Sequence, residues 1–352
     1  MGFCRLFRFS PFAPETARRV GVLCVGAIGD LLLATNLFSG LRHALPEADI
    51  EVITSKANAS AHILLPSSCR SVAFPITDMG GMVRHVRSAR FDILIDIGQW
   101  ARISALICAF SGAKYTVGFA TPGQYRHYVY DRTTSHQNDR HETDNFFAMG
   151  QTLFPKLQGS PEIIIPEKPS EMCPVLPGKN IVFCHMWPSG VNSFLKEWPG
   201  EYWETLASTL LEAGYVPVFT GGGDDAEATD GFVAQVNLKT KPCEARAISV
   251  AGKISLADLA YHMRRAAAVV SVNTGTMHLA ALSGAATVGL HGPTNPLRWG
   301  PVGERICSLL PDKGRSAYLD LGFEYPDGVE NVMQYLPVSS VVTALRNFGL
   351  RL

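Results

Sequence analysis

Apolar residues fall in short runs, each closed by glycine or a small polar residue, separated by stretches with helical spacing. Residues 19–25 form an apolar run that stops at Gly26. A helical pattern follows over 30–45, then a second strand-like run at 50–54. Residues 91–97 (FDILIDI) read as another buried strand, with a helix over 101–110. Alternation of this kind predicts a parallel sheet with helices on both faces.

The pattern then restarts. Strands are expected at 180–185, 215–220, 268–272 and 286–290, with helices at 200–213, 255–265 and from about Thr276. Between the two halves, Pro161, Pro166, Pro169, Pro174 and Pro177 crowd a short stretch. Proline removes donors and fixes φ, so this stretch is expected to be a linker. The spacing predicts an N-terminal domain over 1–160, a linker over 161–178, and a second domain over 179–335. Residues 336–352 should hold a helix (about 339–348) that packs back on the first domain. Two such α/β halves leave a cleft, and ligands bind at the carboxyl ends of the strands.

Composition narrows the function. Hydrophobic residues make up 47% of the 352 and charged residues 18%, which excludes whole-chain disorder. Lys plus Arg equals Asp plus Glu, 31 each, against the basic excess of a nucleic-acid binder. Eight cysteines include no CxxC pair, so zinc-ribbon and thioredoxin readings fail. Reduced, buried thiols in a cytoplasmic protein are expected instead. Arg5 and Arg8 interrupt any signal-peptide core, and no run reaches the roughly 18 apolar residues of a membrane span. Phe3, Leu6, Phe7 and Phe9 beside those arginines could touch a membrane surface, although a locally packed tail fits as well.

Candidate chemistry sits where strands give way to helices. Gly26-x-x-Gly29-Asp30 lacks the full GxGxxG of a dinucleotide site. Asp30 there reads either as a first-turn cap or as a carboxylate at the cleft mouth. Lys196, in KEWP (196–199), is either a mobile charge for a phosphate or a surface lysine. Asn273, Thr274, Gly275, Thr276 and His278 open a helix after a buried strand, which suits a diphosphate or simple capping. Asp225 and Glu227 follow the Gly221–Gly223 turn, where an acid can hold ribose hydroxyls. The stretch 124–141 is rich in Arg, His and Tyr, so Arg126, Arg132 and Arg140, with Gln99 nearby in sequence, are candidates for an acidic acceptor.

Taken together, IGDLLLATN (28–36), the block 91–119, KEWP, NTGTMHLAALSG (273–284) and HGPTNPLRWGP (291–301) resemble the ADP-heptose–lipopolysaccharide heptosyltransferase family, glycosyltransferase family 9. The resemblance runs from about Val20 to Gly303. It implies an α/β GT-B fold, with two Rossmann-like domains facing across a cleft. It implies an inverting glycosyltransferase that moves heptose or a related sugar from an ADP-sugar to a lipopolysaccharide-type acceptor. Asp30 would be the general base, Lys196 would contact the phosphates, and Thr274, Gly275, Thr276 and His278 would cradle the diphosphate. The ribose acid falls on Asp225 or Glu227, with Glu227 preferred. No metal and no cofactor are expected, nor any nucleic-acid partner. A cytoplasmic place, with or without peripheral contact at the inner membrane, follows. Asn273 stands where the family usually has aspartate, and the stretch 185–196 is longer than usual, so Ser189, Asn192 and Ser193 all remain eligible for phosphate contact. The alternatives are another nucleotide sugar used on a different glycan or a protein, and a non-catalytic nucleotide-sugar binder.

Overall fold

The computed structural model describes residues 12–176, 178, 180–239, 245–319, 321 and 324–352. The N-terminal segment expected to touch a membrane or pack locally, with Cys4, lies outside these residues, as does Cys243. Two units divide the chain, Met1–Ile164 and Ile165–Leu352. The division falls inside the proline-rich stretch because each end of it is tied to its own unit. Ile164 N–H donates to the Leu64 carbonyl, whereas the Asp258 carboxylate accepts from both the backbone and the hydroxyl of Ser170.

The first unit runs β1 (Arg19–Cys24), α1 (Ile28–Leu33), α2 (Thr35–Ala44), β2 (Asp49–Ser55), β3 (Cys69–Phe74), α3 (Met79–Ala89), β4 (Ile93–Asp96), α4 (Arg102–Phe110), β5 (Tyr115–Phe119), β6 (Arg132–Thr134) and α5 (Glu142–Gln151). Its sheet is parallel, in the order β3-β2-β1-β4-β5-β6. The second unit runs β7 (Ile181–His185), α6 (Gly200–Glu212), β8 (Val216–Thr220), α7 (Ala226–Lys239), β9 (Ile248–Ser249), α8 (Leu256–Met263), β10 (Ala268–Val272), α9 (Gly275–Leu282), β11 (Thr287–Leu290), α10 (Pro296–Trp299), β12 (Ile306–Leu309) and α11 (Val338–Asn347). Its order, β12-β11-β10-β7-β8-β9, is the same topology read from the other edge. This is the doubly wound order of a Rossmann sheet, and each sheet reverses direction once: between β1 and β4, and between β7 and β10.

The central strands β4, β7 and β10 are buried at every position, as helices on both faces require. That is why their sequences are mostly apolar, with Asp96 and His185 at the last positions of β4 and β7 and Ser271 inside β10. The single helix expected over 30–45 is two helices. Thr35 Oγ donates to the Leu32 carbonyl and accepts from the Glu162 N–H, and such side-chain bonds compete with the helical ladder.

The C-terminal helix lies in the second unit. Val341, Ala344 and Leu345 of α11 join its core, against α6, β11 and β12. Its apolar stripe matches that face, and Trp198 Nε1 donates to the Leu336 carbonyl just before it. Leu345→Ala should therefore cost about 2–5 kcal/mol, the usual range for a fully buried leucine. The loss should appear in the urea unfolding transition reported by tryptophan fluorescence, since Trp187, Trp198, Trp203 and Trp299 all lie in the second unit.

Candidate active site

In the first unit, β1 ends at Cys24 and the chain turns through Gly26 into α1. Asp30 occupies the first turn of α1, and its Oδ2 accepts the Ala27 N–H at 3.0 Å. A side chain at Gly26 would collide with this carboxylate, because its Cβ would lie 2.6 Å from Asp30 Oδ2. The cap is therefore real, yet it uses one oxygen; Oδ1 makes no hydrogen bond among the described residues. Burial pushes the Asp30 carboxyl up to about 6, the Glu142 charge adds to the rise, and the Ala27 N–H and His136 oppose it. A base poised near neutrality suits proton transfer.

β4 pairs with β1 so that Asp96 lies opposite Leu23, one residue short of the β1 end. Asp96 accepts from Arg126 Nη2 at 2.5 Å, from Tyr130 OH at 2.6 Å and from the Gly98 N–H at 2.8 Å. Arg126 also donates to Ser104 Oγ. Its side chain is wholly buried, which corrects its expected place on an acceptor surface. A guanidinium left alone in that interior would be prohibitive, and Asp96 is the counter-charge that keeps it there. Arg132 and Arg140 are exposed; Gln99 is half-buried, and its carbonyl accepts from Thr121 Oγ. Asp96 escaped the sequence reading, although one acid closing the run ILID was a visible signal.

In the second unit, Lys196 closes a 3-10 turn (Ser193–Lys196) and folds back so that Nζ donates to the Ser189 carbonyl at 2.5 Å. Gly190 makes this possible with φ +90°. Partial burial lowers the lysine's pKa. The KEWP tryptophan is the anchor: Trp198 is buried edge-on against Trp203, with centroids 4.9 Å apart. Asp225 is occupied, its Oδ2 accepting the Gly222 N–H at 2.7 Å and so closing the glycine turn. Glu227, exposed on the first turn of α7, makes no side-chain hydrogen bond among the described residues. His185 bonds Thr220 Oγ at 2.8 Å, and burial drives it down to about 4.

Thr274 caps α9 in position, yet its Oγ1 is buried with no hydrogen-bond partner. An orphaned hydroxyl at a helix N-terminus, beside the backbone N–H groups of Gly275 and Thr276, fits an anion. His278 is buried one turn further along α9. Asn273 bridges to the segment after β11: its Nδ2 donates to the Trp299 carbonyl at 2.8 Å and meets His291 Nδ1 at 3.2 Å. With that amide donating, His291 Nδ1 is the acceptor; burial holds this imidazole neutral, its pKa down to about 3. Among the described residues, no group of three or more His, Cys, Asp or Glu side chains could hold a metal ion. No helix among them is long and apolar enough to cross a membrane. Cys24, Cys108 and Cys184 are buried, whereas Cys69, Cys173 and Cys307 are only partly so.

Each group therefore sits at the switch point of its own sheet: Asp30 after β1, and Asn273 to His278 after β10, next to β7. Residues 79–320 match the model for glycosyltransferase family 9 (heptosyltransferase). The chain belongs to glycosyltransferase family 9. It is 21% identical to the lipopolysaccharide core heptosyltransferase OpsX of Haemophilus influenzae, over 97% of this chain and 99% of the relative. Two Escherichia coli structures share its fold. ADP-heptose lps heptosyltransferase II superposes with a TM-score of 0.71 at 18% identity, covering 94% of this chain and 98% of that one. Heptosyltransferase WaaC with ADP gives 0.70 at 17%, covering 94% and 100%. The protein is thus a glycosyltransferase of the GT-B type.

Asn273 in this family member is a donor matched to two acceptors. Asn273→Asp should lose the bond to the Trp299 carbonyl and set a carboxylate against that oxygen, while neutral His291 can shift its proton to Nδ1 and donate to the new carboxylate. The expected cost is about 1–3 kcal/mol at pH 8, where His291 is neutral, read by chemical denaturation.

Proposed function

We propose that this family 9 transferase moves heptose from ADP-heptose to a lipopolysaccharide core acceptor with inversion at the anomeric carbon. The observation that carries the reading is the Asp30 carboxylate, half-buried at the β1 switch point with one oxygen unengaged and its pKa raised to about 6. The names of the relatives, which speak of lipopolysaccharide core heptosyltransfer and of ADP, supply the substrates.

In the reaction, Asp30 accepts the proton of the acceptor hydroxyl as its oxygen attacks the anomeric carbon. The bond from that carbon to the ADP oxygen breaks on the opposite face, and negative charge gathers on the diphosphate. Lys196 leaves the Ser189 carbonyl for a phosphate oxygen. The α9 N-terminus, Thr274 Oγ1 and His278 meet the remaining charge. Glu227 holds the ribose, since Asp225 is committed to its turn.

Asp30→Asn keeps the cap geometry and removes the proton acceptor. Transfer should fall by at least about 100-fold, with ADP affinity unchanged by calorimetric titration. In the parent enzyme the rate should fall as pH drops through about 6, where Asp30 takes its proton. Near-normal turnover in Asp30→Asn would return the residue to a helix cap.

Lys196→Ala should weaken ADP by about 10- to 100-fold, the value of one charge-assisted hydrogen bond. Equal ADP affinity in the two proteins would leave Lys196 a surface residue.

A further inference from the structure

Helix α4 is apolar on both of its faces. Ala105, Ile107 and Cys108 enter the core of the first unit, as the inner face of a surface helix should. Ile103, Leu106 and Phe110 follow the spacing i, i+3, i+7 on the other face, where polar residues belong, and are 37%, 39% and 55% exposed. A groove of about 400 Å³ runs between α4 and the 3-10 turn Arg126–Val129. Leu106, Tyr125, Tyr128 and Val129 line it, so the apolar surface continues from helix to turn. The rings of Tyr125 and Tyr128 lie parallel, with centroids 6.4 Å apart, and each side chain is more than half exposed. Tyr125 holds φ at +58°, a costly conformation for a bulky residue. Tyrosine, apolar in body and polar at the tip, suits a boundary between water and lipid.

The free charge around this surface has one sign, although the whole chain is neutral. From 79 to 130 the acids are Asp92 and Asp96, and both are buried. At the borders, Asp78 caps α3 through the Gly81 N–H, and Asp131 accepts from Thr116. On β2, Arg70 engages Asp49 and His85 engages Glu51. Against these stand Arg84 and Arg87 of α3, Arg90 at its C-cap and Arg102 at the start of α4, all exposed. Arg19 joins the first three around one depression. None of these five arginines forms an ion pair among the described residues. α3 packs beside α4, and Arg87 Nη1 donates to the Phe110 carbonyl, so the arginines adjoin the apolar stripe.

We infer that this face of the first unit docks on an anionic lipid bilayer. Ile103, Leu106, Phe110 and the two tyrosines enter the headgroup boundary, and the arginines meet lipid phosphates. A second copy of the chain fits less well, because a two-fold contact would set these arginines against themselves. Binding needs neither the base nor the donor proposed above. Only its use, which is to hold the enzyme beside a lipid-bearing acceptor, rests on that reading.

The test is sedimentation of the full chain with vesicles of phosphatidylcholine alone, or of equal parts phosphatidylcholine and phosphatidylglycerol. The parent should bind the mixed vesicles at least about tenfold better, and salt near about 0.5 M should erase most of the difference. Leu106→Gln with Phe110→Gln should weaken that binding by about tenfold or more, and so, separately, should Arg84→Gln with Arg90→Asn. Asparagine is chosen at 90 because the backbone there is left-handed, with φ +49°. All four side chains are exposed, so melting temperatures should not change. Equal binding to the two kinds of vesicle, no binding, or full binding by either double variant would overturn the proposal. A parent dimer in analytical ultracentrifugation that Leu106→Gln with Phe110→Gln dissolves would give the face to a second copy instead. Vesicle binding as expected, without heptose transfer to a lipid-bearing acceptor, would keep the docking surface and sink the acceptor assignment.

Discussion

A parallel strand can be followed by its neighbour only after a crossover, and the hand of that crossover is fixed. When the order of strands reverses, successive crossovers leave on opposite faces and the loops diverge. Everything chemical in this chain depends on that constraint. Each sheet reverses once, and at each reversal polar residues gather at the strand ends and in the loops that follow. The apolar runs of β1, β4, β7 and β10 are therefore two things at once: the core of each unit, and the rigid support for the first residue past each strand.

The central strands and the helices that follow them were legible because burial on both faces leaves few polar positions to blur the run. Strand β10 lies where the pattern sets it, over Ala268–Val272. The outer elements were not legible. β3 is half-exposed and reads CRSVAF, β6 has three residues and β9 two, so each lacks a period long enough to count. The break between α1 and α2 was hidden as well, since a threonine inside an apolar helical pattern gives no warning that its hydroxyl will bond the backbone. Among the candidate residues, Asp30, Lys196 and the α9 turn stood out through position after a strand. Asp96 did not, because its meaning lies in a partner more than one element away. Arg126 shows the converse error: a basic residue in a polar stretch looks like surface until its distant acid is known.

Charge in the interior follows one rule in both units. An ionised group is kept only with a fixed partner, as in Asp96 with Arg126, or is held neutral, as in His185 and His291. Asp30 falls between these cases. Among the described residues it has one backbone donor and no ion pair, and that partial satisfaction leaves it sensitive to its surroundings.

Lys196 carries a different kind of consequence. Its ammonium is bonded to the Ser189 carbonyl. The long side chain has therefore lost much of its rotational freedom in advance, and an arriving anion exchanges one acceptor for another instead of arresting a loose cation. The exchange favours only a ligand that bonds an ammonium better than a neutral carbonyl does. A sugar hydroxyl is no improvement, whereas a phosphate oxygen is. In the role proposed for Lys196, the tether works as a threshold: neutral glycans leave the lysine where it rests, and charged nucleotides release it.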